Sequence, residues 1–98
     1  WLSAITTGGG PESYCRAGYN QRPLLDFLLP FQQTAQLCGM RWLPPFVLHS
    51  FHKLDDPEAL RRCGQDYRQL LCALRDEQLT PAQLAESPYL RDLLGVLP

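Results

Sequence analysis

The sequence predicts an α/β fold in which two parallel strands are joined by a helix. Strand-like runs at Leu2–Ile5 and within Arg41–His49 flank one helical pattern, and a longer helical pattern follows. A connection of this length favours a right-handed crossover between parallel neighbours. Parallel sheets are normally buried on both faces and contain more than two strands. The chain is therefore expected to belong to a larger sheet, or to borrow one from a partner.

Composition narrows the classes of function. The 98 residues carry a net charge of −1, and basic residues are dispersed apart from Arg61 and Arg62, which argues against a nucleic-acid partner. No apolar run reaches the ~18–20 residues that a membrane span needs, and no secretory signal pattern is found. The four cysteines lack C-x-x-C spacing and form no metal-ligand pattern with the two histidines, so no metal site is predicted. Cys38, Cys63 and Cys72 are interpreted as small buried residues of a cytoplasmic protein.

The first helix is predicted from "RPLLDFLLPFQQTAQLCG". Pro23 suits its first turn, and Gly39 suits the left-handed residue just past its end. Pro30 predicts a kink, or a regular helix that begins only after a looser first turn. The apolar residues that recur at steps of three and four are expected to form one buried face: Leu24, Leu28, Phe31, Ala35 and Cys38.

The second strand lies in "MRWLPPFVLHSF", where Pro44 and Pro45 cannot donate to a strand ladder, so a break or a sheet edge is expected. The second helix is predicted to begin at Asp56 as N-cap, with Pro57 at the first helical position and Glu58 in the first turn. Its buried stripe is expected to comprise Leu60, Cys63, Gly64, Tyr67, Leu71 and Leu74.

Two cap-like sequences begin short helices in the tail. They are "TPAQ" at Thr80, where Gln83 has capping-box spacing, and "SPYL" at Ser87. Residues 1–75 are interpreted as one α/β unit, and residues 76–98 as a helical carboxyl-terminal extension.

The loop from Thr6 to Arg22 is the candidate ligand site. Gly8, Gly9 and Gly10 follow directly on the first strand, at the end where open α/β sheets bind ligands. Glycine permits positive φ and lets a flat ring approach the backbone, and the loop N–H and hydroxyl groups can donate to a ligand. The alternative is a flexible surface connection. Neither a Walker sequence nor a G-x-G-x-x-G sequence is present.

Three motifs in register, "TTGG", "QTAQLCGM" and "WLPPFVLH", resemble the carboxyl-terminal half of the NAD(P)H:quinone oxidoreductase family. This family has a flavodoxin-like fold and includes DT-diaphorase and the ancillary flavoproteins of glutathione-gated potassium-efflux systems, which are the more similar group. The resemblance covers roughly residues 1–74. It implies that the two strands are strands four and five of a five-stranded parallel sheet. Strands one to three and the loop for the FMN phosphate are then absent, so the chain is expected to be a fragment of a longer enzyme that is inactive alone and binds FMN weakly or not at all.

The resemblance also implies roles for individual residues. Thr6, Thr7 and the glycine run Gly8–Gly10 match the loop that hydrogen-bonds the pyrimidine side of the flavin. Tyr14 matches a tyrosine beside the flavin, and Asn20 falls where DT-diaphorase-like members have a histidine, so a titratable group is lost there. These two residues are the candidate catalytic residues. His49 and His52, near the end of the second strand, are interpreted as structural.

The function that the resemblance implies is two-electron reduction of quinones by NAD(P)H through FMN, which is favoured over FAD. The intact enzyme is then expected to be a cytoplasmic homodimer, held at the inner membrane through a potassium-efflux antiporter. The alternative is a non-enzymatic regulatory or interaction subunit of that antiporter.

Overall fold

A computed structural model describes all residues from Trp1 to Pro98. The regular elements are β1 (Ala4–Thr6), α1 (Leu29–Leu37), β2 (Phe46–Leu48), α2 (Pro57–Arg75) and α3 (Pro81–Glu86). Short 3-10 helices occur at Pro11–Ser13, Leu24–Leu28, Phe51–Lys53 and Leu90–Val96. None of the helices combines the length and the apolar character that crossing a membrane requires.

The two strands form a parallel pair, as predicted. Ala4 is aligned with Phe46, and Thr6 with Leu48. β1 starts at Ala4 rather than Leu2. β2 starts directly after Pro45, which agrees with the expected break, because proline has no N–H to donate to the ladder.

The helix between the strands begins with a 3-10 turn and becomes α-helical at Leu29, so Pro30 lies in the first turn of α1. This confirms the second of the two predictions for Pro30, namely that the regular helix begins only after a looser first turn. Gly39 has a φ of 67°, as its position after the helix predicted. The predicted buried face is wrong at Phe31, which is 49% exposed, and at Cys38, which is also exposed. Within α1 only Ala35 is buried, because no other element of the chain covers the outer side of this helix.

Helix α2 begins as the sequence predicts. The Asp56 side chain accepts a hydrogen bond from Glu58 N at 3.0 Å, and Pro57 is the first helical residue. The predicted stripe is only partly correct. Its buried members in the structure are Cys63, Leu70 and Ala73, and its partly buried members are Tyr67 and Leu74. Leu60, Gly64 and Leu71 are exposed, because they face away from the carboxyl-terminal segment that packs on the helix.

Residues 76–98, here called the carboxyl-terminal segment, complete the core. Thr80 and Gln83 form the predicted capping box, but Ser87 ends α3 instead of starting a helix, and the next turn begins at Leu90. The core cluster consists of Phe46, Cys63, Leu70, Ala73, Leu79, Leu84, Leu90 and Leu93. Leu90 N also donates to Pro45 O at 2.9 Å, which attaches the segment to the chain just before β2.

Candidate functional site

A cavity of about 380 Å³ opens at the carboxyl end of β1. Four of the predicted site residues line it together, namely Thr6, Thr7, Tyr14 and Asn20. The rest of the lining is apolar and consists of Ile5, Leu24, Phe27 and Leu28. Apolar walls with a few polar groups are the usual form of a cofactor site, and this is the end of the strands where α/β sheets bind ligands.

The amides of Gly8, Gly9 and Gly10 donate no hydrogen bond within the chain, although these residues do not line the cavity themselves. Two of their carbonyl groups are occupied, since Gly9 O accepts from Ser50 N at 3.1 Å and Gly10 O accepts from Ser13 N at 3.0 Å. Gly8 is exposed and Gly9 is half-buried, so their N–H groups are available to a ligand oxygen, whereas Gly10 is buried beside the Glu12 carboxylate.

None of the three glycines in the run adopts the positive φ that glycine permits. Gly39 is the one glycine with positive φ, so the reason for Gly8–Gly10 must be different. A Cβ atom on Gly9 would lie 2.8 Å from Ser13 Oγ, and one on Gly10 would lie 2.4 Å from the Glu12 carboxylate. The glycines let the side chains of the turn at Pro11–Ser13 pack closely on the run, and a side chain at either position would displace Ser13 or Glu12.

Hydrogen bonds to the end of β2 and to the residues after it fix the backbone at the start of this loop. Thr7 N donates to Leu48 O at 2.9 Å, and Phe51 N donates to Thr7 O at 3.0 Å. The Thr7 side chain is buried, and its Oγ1 lies 2.8 Å from Gly9 O and 3.0 Å from His49 Nδ1. Thr7 thus lines the cavity but uses its polar groups within the protein.

Tyr14 stands between two rings. Its ring centroid lies 6.1 Å from that of Phe27 in an edge-on arrangement and 5.9 Å from that of His49. No hydrogen bond of the Tyr14 hydroxyl to the protein is found, so it is available to a ligand. Asn20 N donates to Ser13 O at 2.9 Å, which brings the far end of the loop back to the cavity.

His49 was not among the predicted site residues, and Phe27 was not either. The useful signal for His49 was its position, because it follows β2 directly just as Thr7 follows β1, and parallel strands end at the same edge of a sheet. Partial burial lowers the pKa of His49. The Glu12 carboxylate opposes this shift, the Arg91 guanidinium adds to it, and hydrogen bonding to the Gly9 carbonyl also opposes it. His49 is therefore neutral near pH 7.

A family model described as "Flavodoxin-like fold" matches residues 1–71, and the chain belongs to this family. This agrees with the expected fold class, of which the chain contains two parallel strands with their helices.

Two similar proteins are the "Glutathione-regulated potassium-efflux system ancillary protein KefG" of Yersinia enterocolitica and of Yersinia pseudotuberculosis. Each is 39% identical to the chain over 71 residues, which cover 72% of the chain and 38% of the relative. The chain therefore spans well under half of the length of these relatives. The resemblance to the ancillary proteins of potassium-efflux systems is confirmed.

A crystal structure described as a thermophilic tryptophan halogenase from Streptomycin violaceusniger is also similar. Its TM-score is 0.63 at 28% identity, over 69% of this chain and 39% of that one. The two kinds of relative have names that describe different activities, so this likeness supports the fold rather than a reaction.

Proposed function

We propose that the chain contributes the ring-side half of a flavin site in an NAD(P)H:quinone oxidoreductase. The observation that carries the proposal is the pair of unpaired and accessible amides of Gly8 and Gly9, which directly follow a cavity residue, Thr7, in a cavity with aromatic and aliphatic walls. The donor set suits the edge of an isoalloxazine, which presents carbonyl oxygens, and the walls suit its flat faces.

The flavin, when bound, carries the hydride from NAD(P)H to the quinone. The chain supplies position and electrostatic stabilisation. The amides of Gly8 and Gly9 would donate to the ring carbonyl edge, where negative charge increases on reduction, and they would need little reorganisation because the loop is already held. Tyr14 and Phe27 form an aromatic wall, and Asn20 adds a side-chain amide to the lining of the cavity.

FMN is the proposed cofactor, and its phosphate gives the first test. The eight residues that line the cavity include no cation, so they offer no countercharge to a phosphate group. Riboflavin and FMN should therefore bind this chain with affinities within about threefold, a difference of less than 1 kcal/mol. Fluorescence titration with each flavin measures this. Failure of both flavins to bind at millimolar concentration would refute the proposal for the chain.

A pair of substitutions tests the loop. Gly9→Val places a branched side chain against Ser13, because a Cβ atom at position 9 would already lie only 2.8 Å from Ser13 Oγ. The substitution should therefore distort the loop and abolish flavin binding. Tyr14→Phe removes at most one hydrogen bond, about 0.5–1.5 kcal/mol, and should weaken binding only about two- to twelvefold. The control is Gly95→Val, because nothing lies within 4 Å of a Cβ at Gly95. The reverse ranking of Gly9→Val and Tyr14→Phe would disprove the assignment of the loop.

The second candidate function is a non-enzymatic regulatory subunit of a potassium-efflux antiporter. It is favoured by the names of the relatives and by the apolar side chains that the chain exposes, among them Phe31, Leu37 and Leu60. In this proposal the protein is a cytoplasmic homodimer that reaches the membrane surface through its partner. Potassium efflux from vesicles that contain the antiporter, with and without the added protein, is the test. Stimulation that survives Gly9→Val would favour regulation without flavin chemistry.

A further inference from the structure

The side chain of Thr7 connects the glycine run to the first residue after β2. Thr7 Oγ1 lies 2.8 Å from Gly9 O and 3.0 Å from His49 Nδ1. A hydroxyl group has one hydrogen to donate, and a carbonyl oxygen can only accept. The 2.8 Å contact with Gly9 O therefore uses the Thr7 hydrogen, and His49 Nδ1 must be the donor in the second contact.

This assignment fixes the tautomer of the imidazole. Neutral His49 carries its proton on Nδ1, and Nε2 has the free lone pair. The same Gly9 O also accepts from Ser50 N at 3.1 Å, so one carbonyl of the loop accepts from Thr7, which follows β1, and from Ser50, which follows β2. These two hydrogen bonds fix the backbone of the run at Gly9.

We propose that His49 is a positioning residue, which holds the backbone of the glycine run, and with it the accessible amides of Gly8 and Gly9, in place for a ligand by donating from Nδ1 to Thr7. The inference rests on the proposed flavin function for its ligand, and on the hydrogen-bond geometry for the role of His49. It gives the structural role expected of His49 a specific function, namely holding the loop.

Isosteric substitutions separate this role from simple packing. The side-chain amide of asparagine places an N–H near the position of Nδ1, so His49→Asn should retain riboflavin affinity within about threefold. His49→Gln places its donor near the position of Nε2, and His49→Leu has none, so each should lower the affinity about tenfold. His52 is the control, because its ring lies against Gly8 without a hydrogen bond, and His52→Leu should change the affinity less than twofold.

The pH profile gives an independent test. Neutral His49 in this tautomer and the imidazolium both carry a proton on Nδ1, so riboflavin affinity should stay flat as the pH is lowered and His49 becomes protonated. The groups around the ring are the Glu12 carboxylate, the Arg91 guanidinium and the Tyr14 ring. If Thr7 instead donated to Nδ1, protonation of His49 would remove the acceptor and the affinity would fall as the pH is lowered. Such a fall would overturn the proposal.

Nuclear magnetic resonance tests the geometry without any flavin. Long-range ¹H–¹⁵N correlation spectra of the full chain should show neutral His49 protonated on Nδ1, both in the wild type and in Thr7→Ser. Thr7→Val removes the acceptor and should shift His49 toward the Nε2-protonated form. An Nε2-protonated wild type would refute the inference even if flavin binds. Failure of flavin to bind, with the spectra as expected, would refute the proposed function and leave the hydrogen-bond chain intact.

Discussion

The two sides of helix α2 differ sharply in how they are covered. Leu70 is completely buried, whereas its neighbour Leu71 is 40% exposed. Leu70 faces the carboxyl-terminal segment, with which it shares the core cluster. Farther along the exposed side, Leu60 and Gly64 line an apolar groove of about 370 Å³ that reaches to β1. One face of the same helix is thus the centre of the core, and the other lies open.

The sheet repeats this contrast. Strand β2 is paired with β1 on one side, and on the other Leu90 N donates to the Pro45 carbonyl just before it. β1 pairs on one side only. In a five-stranded flavodoxin-like sheet, strand four has a neighbour on each side. The core on the covered side is built largely from residues that follow the family match, which ends at residue 71. Five of the eight core residues lie beyond that position, namely Ala73, Leu79, Leu84, Leu90 and Leu93.

The largest effect on stability is expected on the covered side. Leu90→Ala removes a completely buried side chain between α2 and β2 and should lower the free energy of unfolding by about 2–5 kcal/mol. Val96→Ala, in the same 3-10 helix but 53% exposed, is the control and should cost less than about 0.5 kcal/mol. Urea unfolding followed by circular dichroism measures both. Equal costs would mean that the carboxyl-terminal segment does not stabilise the fold.

The second prediction compares two glycines. A Cβ on Gly18 would lie 2.3 Å from the carbonyl oxygen of Glu12, so Gly18→Ala must shift the backbone of the loop and should cost about 1–3 kcal/mol. A Cβ on Gly64, on the open side of α2, would meet nothing within 4 Å. Gly64→Ala should instead stabilise the helix by about 0.5–1 kcal/mol. A destabilising Gly64→Ala would show that this groove is filled in solution.

The helix caps were predictable from the sequence, but the sequence did not show which helix faces are buried by other elements. Gly39, Asp56 and Thr80 perform the expected capping roles, because each role depends on residues within one helical turn. Periodicity identified Leu60 and Leu71 as apolar positions of α2, but a pattern cannot say which neighbour covers them. The buried contacts of α2 come instead from the carboxyl-terminal segment, which has no strong periodic signal.

The candidate site shows the same limit. The position of the glycine run after β1 predicted where the cavity would open, and Thr6, Thr7, Tyr14 and Asn20 do line it. The role of His49 depends on a hydrogen bond to a residue 42 positions earlier in the chain. Spacing within the sequence does not reveal such a contact, because it depends on the register of the two strands.

A smaller effect is expected for the ion pair on the covered side. Arg91 donates to Asp66 at 2.8 Å and lies over the ring of Phe46 at 5.5 Å, but both charged side chains remain partly exposed. Arg91→Gln should lower the free energy of unfolding by about 0.5–1 kcal/mol, and less at high salt. The pair of Arg61 with Glu58, at 3.5 Å and more exposed, is the control, and Arg61→Gln should have no measurable effect. A salt-independent cost for Arg91→Gln would assign the effect to packing on Phe46.

The smallest effect on the free energy of unfolding is expected for substitutions on the exposed side of α2. These substitutions should change the self-association of the chain instead. Leu71→Gln affects a side chain that already contacts water and should alter the free energy of unfolding by less than about 0.5 kcal/mol. The same substitution one residue earlier, Leu70→Gln, buries an unpaired amide and should unfold the chain or cost several kcal/mol.

Sedimentation at increasing concentration completes this last comparison. An unpaired strand edge beside an apolar groove is expected to drive self-association, and Leu71→Gln together with Leu60→Gln should reduce it, because both remove apolar surface from that side. Unfolding is measured at the lowest concentration, so that association does not add to stability. A cost of Leu71→Gln that approaches that of Leu70→Gln, under conditions where the chain is monomeric, would mean that the open side is packed within a single chain. The contrast between the two faces of α2 would then be wrong.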